Sequence, residues 1–140
     1  MFRMLDEDSP ISKEDFLQFE EILGKKLPKT MLDFYLKHNG GQPQVMGVHD
    51  EHHLFPFNSF DSLEEMRKSL TWYDDEAVPA GFRATDLLHF AYDPGSGNYA
   101  LSLREEDYGK VYYYVLEERA EIFGQWLSFE AFLTSFVEGE

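Results

Sequence analysis

Three apolar and aromatic segments that follow one another closely constrain the fold of this chain most. They are LLHFAY (87–92), NYALSL (98–103) and KVYYYVL (110–116), separated by the turn-forming runs DPGSG and REEDYG. Short extended segments rich in aromatic residues, with only a few turn residues between them, are typical of neighbouring antiparallel strands. The sequence therefore predicts a three-stranded meander, around which the rest of the chain must pack.

The first part of the chain is mainly helical. Ser12 is placed as an N-cap, Asp15 follows as its capping-box partner, and Gly24 marks the end of this first helix. The stretch KLPKTMLDFYLKHNGGQP (26–43) predicts a second helix, which begins near Pro28 and ends at Asn-Gly-Gly. Proline is favoured in a first helical turn and glycine where a helix stops. We interpret this punctuation as a folding signature that locates no active site.

Weaker signals complete the order of elements. Two short strands are predicted, at QVMGV (44–48) and HHLFPF (52–57). A third helix is predicted to begin after the N-cap Ser62, and a serine-capped C-terminal helix is predicted over FEAFLTSFV (129–137). Consecutive strands that do not alternate with helices indicate an α+β fold. We expect one domain over residues 1–140. Its twisted, mainly antiparallel sheet would have about five to six strands, packed with N-terminal, middle and C-terminal helices.

Net charge limits the partners of the protein. The 140 residues include 27 acidic and 12 basic side chains, a formal charge of −15, and 16% of them are aromatic. An acidic surface repels phosphate backbones, so direct binding to nucleic acid is not expected. It attracts a basic protein partner and accelerates association with it. Solubility of a cytosolic domain is the alternative explanation for the acidity.

Several classes of protein are excluded or disfavoured by what the sequence lacks. There is no cysteine, which excludes disulfides, thiolate catalysis and cysteine-ligated zinc. No window approaches about 18 consecutive apolar residues, so no membrane-spanning helix is predicted. The opening MFRMLDEDSP has no apolar core of a signal peptide. We therefore expect a soluble cytoplasmic protein.

The run HDEHH (49–53) is the strongest candidate for metal chemistry. In an extended segment, His49, Glu51 and His53 would point to the same side, and such nitrogen and oxygen ligands suit zinc or another divalent ion. The alternative is a polar loop that leads into a strand, and no HExxH spacing is present. We expect the loop, with no metal and no cofactor.

Other candidate motifs do not match the templates of known chemistry. DPGSGN (93–98) lacks the alternating acids of a calcium loop and is not followed by the Lys-Ser/Thr of a phosphate loop, so a tight hairpin turn is predicted. Serines are present without a nucleophile elbow. Adjacent carboxylates such as Glu20 and Glu21 diverge on a helix and form no acid/base pair. We expect no enzymatic activity and no catalytic residues.

Aromatic and acidic residues in the second half suggest a binding surface. Alternation along a strand puts Tyr112 and Tyr114 on one face and Tyr113 on the other, so one face presents phenols either to a partner or to a covering helix. Three acidic stretches near the sheet, at 74–76, 105–107 and 117–121, would form an anionic rim suited to a basic protein. The first two supply the candidate partner-binding acids: Asp74, Asp75, Glu76, Glu105, Glu106 and Asp107.

Four stretches of the sequence, in order, resemble the SUKH superfamily. They are ISKEDFLQFEEILGKKLP, LPKTMLDFYLKHNGG, LLHFAYDPGSGNYALSL and GKVYYYVLEE with the terminal SFEAFL. The motif positions that carry the resemblance are Leu27, Pro28, Asn39, Gly40, Gly41, Gly97 and Asn98. The superfamily includes bacterial immunity proteins and relatives of yeast cell-wall assembly regulators.

The resemblance implies a non-enzymatic bacterial protein that binds and neutralises a cognate toxin, often a nuclease. A basic nuclease channel would complement the acidic surface of this chain. Two alternatives remain open: an intracellular regulatory or scaffolding module with an endogenous partner, and a small metal-dependent enzyme built on HDEHH. The sequence does not determine the partner, the oligomeric state or the binding face.

Overall fold

The computed structural model describes residues 3–116 and 120–138. Within these residues it has four α-helices: α1 (Lys13–Leu23), α2 (Lys29–Lys37), α3 (Leu63–Ser69) and α4 (Phe129–Leu133). The strands of the same residues are β1 (Met4–Leu5), β2 (Gln42–Pro43), β3 (Val45–His49), β4 (Leu54–Phe55), β5 (Ser59–Phe60), β6 (Leu87–Tyr92), β7 (Gly97–Ser102), β8 (Val111–Leu116), β9 (Ala120–Trp126) and β10 (Phe136–Glu138). Two short 3-10 turns lie between α3 and β6, at Asp75–Ala77 and Ala84–Asp86. The fold is α+β, as predicted.

Five strands form the main antiparallel sheet in the order β5-β6-β7-β8-β9. The predicted meander is confirmed as β6, β7 and β8, and Tyr99 of β7 lies opposite Tyr113 of β8. The strand β9 was not predicted: the acidic stretch 117–121 was interpreted as a loop. Residues 117–119 lie outside the described residues, and from Ala120 the chain pairs with β8. Residues 121–123 are all exposed, and two of them are neighbouring apolar residues, so this strand lacks the polar–apolar alternation that marks a half-buried strand in the sequence.

Two smaller sheets flank the main one, with the strand orders β10-β3-β4 and β1-β2. The C-terminal helix is shorter than predicted, because α4 ends at Leu133 and Phe136 begins β10, opposite Val48 of β3. Hydroxyls end the helix: the Thr134 and Ser135 side chains both donate to the carbonyl of Ala131. Such side-chain bonds compete with the backbone bonds that would continue a helix.

The predicted helix starts are confirmed. Ser12 Oγ accepts from the amide of Asp15, and the Asp15 carboxylate accepts in return from the amide of Ser12. The same capping box joins Ser62 and Glu65 at the start of α3. None of the helices in the described part of the chain has the length and apolar content needed to cross a membrane.

The Asn-Gly-Gly run after α2 joins three segments of the chain. Asn39 is buried; its Nδ2 donates to the carbonyl of Ser9 at 2.7 Å, and its Oδ1 accepts from the amide of Leu63, at the start of α3, at 2.9 Å. Gly40 has φ +80°, and a Cβ there would lie 2.7 Å from the backbone nitrogen of Ser62. The motif is thus required by a close approach between backbones, as expected of a folding signature.

Hydrophobic residues form one cluster on each face of the main sheet. The inner cluster is formed by the sheet and the helices α1, α2, α3 and α4, and it contains Tyr113, Tyr99 and Trp126. The outer cluster is smaller and contains Leu87, Ala100, Tyr112 and Tyr114, together with Val78, Phe82 and Ala84 from residues 74–86. We call this side of the sheet the outer face and residues 74–86 the covering segment.

Candidate functional site

The two tyrosines predicted to bind a partner are buried. Tyr112 is 6% exposed and Tyr114 is 0% exposed, because the covering segment lies over them. Tyr114 donates its hydroxyl hydrogen to the carbonyl of Ala77, within that segment, at 3.1 Å. Their burial argues against the prediction that they contact a partner, since the sheet is covered on both faces.

The first acidic stretch mostly stabilises the covering segment. Asp74 accepts hydrogen bonds from the amides of Glu76 and Ala77, and Asp75 accepts from the amide of Ala84 at 2.8 Å. These bonds fix the carboxylates of Asp74 and Asp75 against their own backbone. All three acids are exposed, and Glu76, whose carboxylate accepts none of these bonds, is the one most available to a partner.

The second acidic stretch has one acid that is bound within the fold and two that are exposed. Asp107 accepts from Ser102, Tyr112 and Arg104, and the Arg104–Asp107 ion pair measures 2.6 Å. Burial alone would raise the pKa of Asp107, but the hydrogen bonds from Arg104, Ser102 and Tyr112 outweigh it and hold this pKa well below its usual range. Glu105 and its neighbour Glu106 are exposed.

Arg104 joins the two acidic stretches. Its guanidinium donates to the carbonyl of Gly81 at 3.1 Å and lies 3.8 Å from the centroid of the Phe82 ring. The loop 104–107 is therefore attached to the covering segment. Among the exposed acids of these two joined segments, Asp74 and Asp75 bind backbone amides, whereas Glu76, Glu105 and Glu106 do not. We call Glu76, Glu105 and Glu106 the acidic rim. The third predicted acidic stretch is not part of this rim: Glu121 lies on β9, and Glu117 and Glu118 lie outside the described residues.

The HDEHH run forms a turn and not an extended segment. Asp50 Oδ1 accepts from the amides of both His52 and His53 at 2.9 Å, which bends the chain between β3 and β4. The common side that His49, Glu51 and His53 would share in an extended segment is therefore not formed, and the run is the expected polar loop. Across the described residues, no group of three or more acidic or histidine side chains is placed to hold a metal.

The DPGSGN run is the predicted tight turn, between β6 and β7. Asp93 Oδ1 accepts from the amides of Gly95 and Gly97, and Asp93 Oδ2 accepts from the hydroxyl of Tyr113 at 2.5 Å. Gly97 has no room for a side chain, since a Cβ would lie 2.6 Å from the Tyr113 ring. Asn98, the second residue of β7, accepts from the hydroxyl of Tyr73 at 3.2 Å.

A cavity of about 650 Å³ opens on the outer face between α3 and the β6–β7 turn. We call it the outer cavity. Its floor is β6, one wall is α3 with the residues that follow it, and the opposite wall is the β6–β7 turn. The side chains that give it chemical character are Asp61, Glu65, Lys68, Trp72, Tyr73, His89 and Tyr92.

Asp61 is the more buried of the two carboxylates that line the outer cavity. Its backbone amide donates to the carbonyl of Phe90, whereas no described residue donates a hydrogen bond to its carboxylate. Burial, together with the charge of Glu65, raises the pKa of Asp61 to about 7. Glu65 is more exposed, and one of its oxygens accepts from the amide of Ser62.

The inner end of the outer cavity is closed by stacked rings. Tyr73 lies parallel to His89 with ring centroids 3.7 Å apart. Burial lowers the pKa of His89 to about 3, so this imidazole is neutral at physiological pH. Because the hydroxyl of Tyr114 donates to Ala77, Nε2 of His89 donates to the Tyr114 oxygen, at 2.6 Å.

Two large aromatic side chains remain at the mouth of the outer cavity. Trp72 is 72% exposed and Tyr92 is 40% exposed. Tryptophan and tyrosine are the residue types most enriched among those that dominate binding energy at protein interfaces. Trp72 in the polar run TWYDDE was a visible signal in the sequence. The proximity of Asp61 and Tyr92 to Trp72 depends on the packing of α3, so the sequence carried no signal for it.

Comparison with known families identifies the chain. The model of the SMI1/KNR4 family (SUKH-1) matches residues 10–135. The chain belongs to this family. The resemblance to the SUKH superfamily is thereby confirmed, and the motif from Leu27 and Pro28 to Gly97 and Asn98 lies within the matched residues. A search of curated proteins finds no match to this SUKH-1 chain. Membership in the family indicates a role in protein–protein interaction.

Proposed function

We propose that this SUKH-1 protein is a bacterial immunity protein that binds and neutralises a cognate basic toxin domain, for which a nuclease is the favoured class. It would act in the cytoplasm by occupying the toxin's functional surface, with no catalysis of its own. The observation that carries the proposal is the outer face, where exposed Trp72 borders a cavity containing carboxylates and the acidic rim lies on the adjoining segments.

Charge and aromatic residues would have separate roles in this mechanism. A formal charge of −15 attracts a basic domain over long distances and raises the association rate, in a way that salt weakens. An exposed tryptophan contributes large apolar area on contact and slows dissociation. A basic catalytic channel covered in this way would be closed to its own acidic substrate.

The proposal is tested by capture followed by rescue of growth. Tagged protein is used to capture partners from the native lysate at about 50 mM and about 500 mM salt, conditions that differ strongly in screening. The gene of each captured protein is then expressed alone and together with this chain. We expect a basic protein that is held better at low salt, that stops growth when expressed alone, and whose toxicity the chain relieves.

The alternative of a regulatory or scaffolding module gives the opposite result. Its captured partner would be an endogenous protein that is harmless when overproduced and that is held equally at both salt concentrations. The immunity proposal would also be overturned if the chain relieved the toxicity of none of the captured proteins.

A further inference from the structure

The outer cavity combines negative charge with exposed aromatic rings. Asp61 and Glu65 supply two carboxylates, and Trp72 and Tyr92 supply rings at the mouth. Among the described residues that line it, Lys68 is the one basic side chain, and it is exposed on α3. His89 contributes no charge, because its pKa lies at about 3. The cavity therefore has more negative than positive charge.

The Asp61 carboxylate is poised to accept hydrogen bonds from outside the chain. The described residues donate none to it, and Asp61 is only partly exposed to water. A partly buried carboxylate without donors is unfavourable, and an incoming donor with positive charge relieves this. An anion or a neutral apolar group would leave the carboxylate unsatisfied.

The aromatic rings favour one type of cation. A guanidinium is planar, stacks on aromatic faces and donates hydrogen bonds in a fork that matches a carboxylate, whereas an ammonium is a compact and strongly hydrated charge. Trp72 offers an exposed ring for stacking beside the carboxylates of Asp61 and Glu65.

We infer that the outer cavity is a binding site for an arginine side chain of the protein partner. In this arrangement the guanidinium stacks on Trp72 and donates to Asp61, while Glu65 adds negative charge. The inference rests on the proposed function for the existence of a basic partner, and it names the residue type by which that partner is recognised.

The test uses the full chain and a small probe. N-acetyl-arginine methylamide is titrated into the protein, and the indole N–H signal of Trp72 is followed by NMR, with the Trp72→Phe variant used to assign it. N-acetyl-citrulline methylamide serves as the uncharged probe of nearly equal shape. We expect saturable binding of the arginine probe, with an affinity in the range of about 1 mM that is usual for so small a ligand, and no binding of the citrulline probe.

Two variants locate the site, and a third is their matched control. Asp61→Asn and Trp72→Ala should each weaken binding of the arginine probe at least about fivefold, a loss of roughly 1 kcal/mol. Because Trp72→Ala lacks the indole signal, its binding is followed by the side-chain amide signal of Asn98, which also lines the cavity. Glu130→Gln removes the same charge from an exposed position on α4, beyond the inner face of the sheet, and should leave the affinity unchanged. Equal binding of both probes, or equal effects of Asp61→Asn and Glu130→Gln, would overturn the inference.

The pH dependence gives a readout that loss of structure would not produce. Asp61 must ionise to bind the guanidinium fully, so the affinity should rise from about pH 6 to about pH 8 and level off above it. Of the other titratable groups that line the cavity, His89 is already neutral over this range, and its pKa at about 3 keeps it so. In Asp61→Asn the rise should disappear. A rise that persists in this variant would contradict the role of Asp61.

The two proposals of this protein's function fail in different ways. Absence of arginine binding together with retained neutralisation of a toxin overturns the assignment of the outer cavity and leaves the proposed function standing. Binding of the arginine probe that requires Asp61 and Trp72, with no relief of any toxin, supports the cavity assignment and overturns the immunity role.

Discussion

Tyr73 covers His89: their rings lie 3.7 Å apart, with planes inclined by only 7°. Tyr73 follows α3, whereas His89 lies in the middle of β6, so this stack fastens the residues after the helix to the outer face of the sheet. The other edge of the imidazole is bound to Tyr114. The ring of Tyr73, from a different part of the fold, thus contributes to the burial that lowers the pKa of His89.

Replacement of Tyr73 by alanine should raise the pKa of His89 from about 3 toward the ordinary value of a histidine. The reason is that the ring of Tyr73 excludes water from the imidazole. The measurement is an NMR titration of the His89 ring signals. Tyr73→Phe keeps the ring and loses only the hydrogen bond to Asn98, so its His89 pKa should stay low. An equally low pKa in both variants would show that other residues account for the burial.

The same variant should change how stability depends on acid. A histidine whose pKa is depressed by folding contributes stability that is lost as pH falls from its unfolded value, about 6.5, toward its folded value. In the wild type this loss extends over the range down to about 3. Urea unfolding at several pH values should therefore show a smaller loss below pH about 6 for Tyr73→Ala than for Tyr73→Phe.

Asp61→Asn should stabilise the protein at alkaline pH. An acid whose pKa is raised by folding destabilises the native state at every pH above its unfolded pKa, and the effect is complete above the folded pKa, which is about 7 for Asp61. Each unit of such a shift corresponds to about 1.4 kcal/mol, and partial exposure reduces the effect, so we expect a gain of about 2 kcal/mol at pH about 8. At pH about 4 the two proteins should be nearly equal.

Thermal or urea unfolding of both proteins across this range measures the difference. The Glu130→Gln variant loses the same charge at an exposed position and should show no such trend. A wild-type protein as stable as Asp61→Asn at alkaline pH would mean that Asp61 ionises without cost.

Gly97→Ala should destabilise the β6–β7 turn by about 1–3 kcal/mol, as is usual for overpacking at a fully enclosed position. The added Cβ would meet the Tyr113 ring at 2.6 Å and the Asp93 carboxylate closer still, and these two groups are bound to each other. Gly95→Ala is the matched control in the same turn, since its Cβ would lie 3.6 Å from Asp93, an ordinary contact. Comparable midpoints of urea unfolding for the two variants would contradict this account.

The elements that the sequence predicted are those specified by local chemistry. The capping boxes at Ser12 and Ser62 involve residues three positions apart, and the meander follows from strands joined by short turns. Such signals need no knowledge of the rest of the molecule. For the same reason the turn at Asp93 was recognised as a turn, although its bond to Tyr113 was not foreseen.

What the sequence did not predict depends on contacts between distant segments. The sequence allowed Tyr112 and Tyr114 either to contact a partner or to be buried under another part of the chain, and only the position of the covering segment decides between them. Asp107 counted as a free acid because its bonds to Arg104 and Tyr112 form only when the loop folds back. The outer cavity is a further case, since Asp61, Trp72 and Tyr92 come together only through the packing of α3 on the sheet.

Charge reversal of the exposed acids should slow association with a basic partner. With Glu105→Lys and Glu106→Lys combined, we expect the association rate to fall several-fold at low salt and the difference to shrink at high salt, because long-range attraction is screened. Stopped-flow or surface-based kinetics with the captured partner measures both rates. The dissociation rate should change little, as is typical for charges at the rim of an interface.

Two further variants decide whether this slowing belongs to the acidic rim. Glu51→Lys combined with Glu130→Lys makes the same change of net charge at exposed positions outside the rim, and should slow association less. Asp107→Asn should instead lower the free energy of unfolding, because it weakens the Arg104 pair that fastens the loop to the covering segment. If both double reversals slow association equally, total charge alone guides the encounter, and the acidic rim has no special part in it.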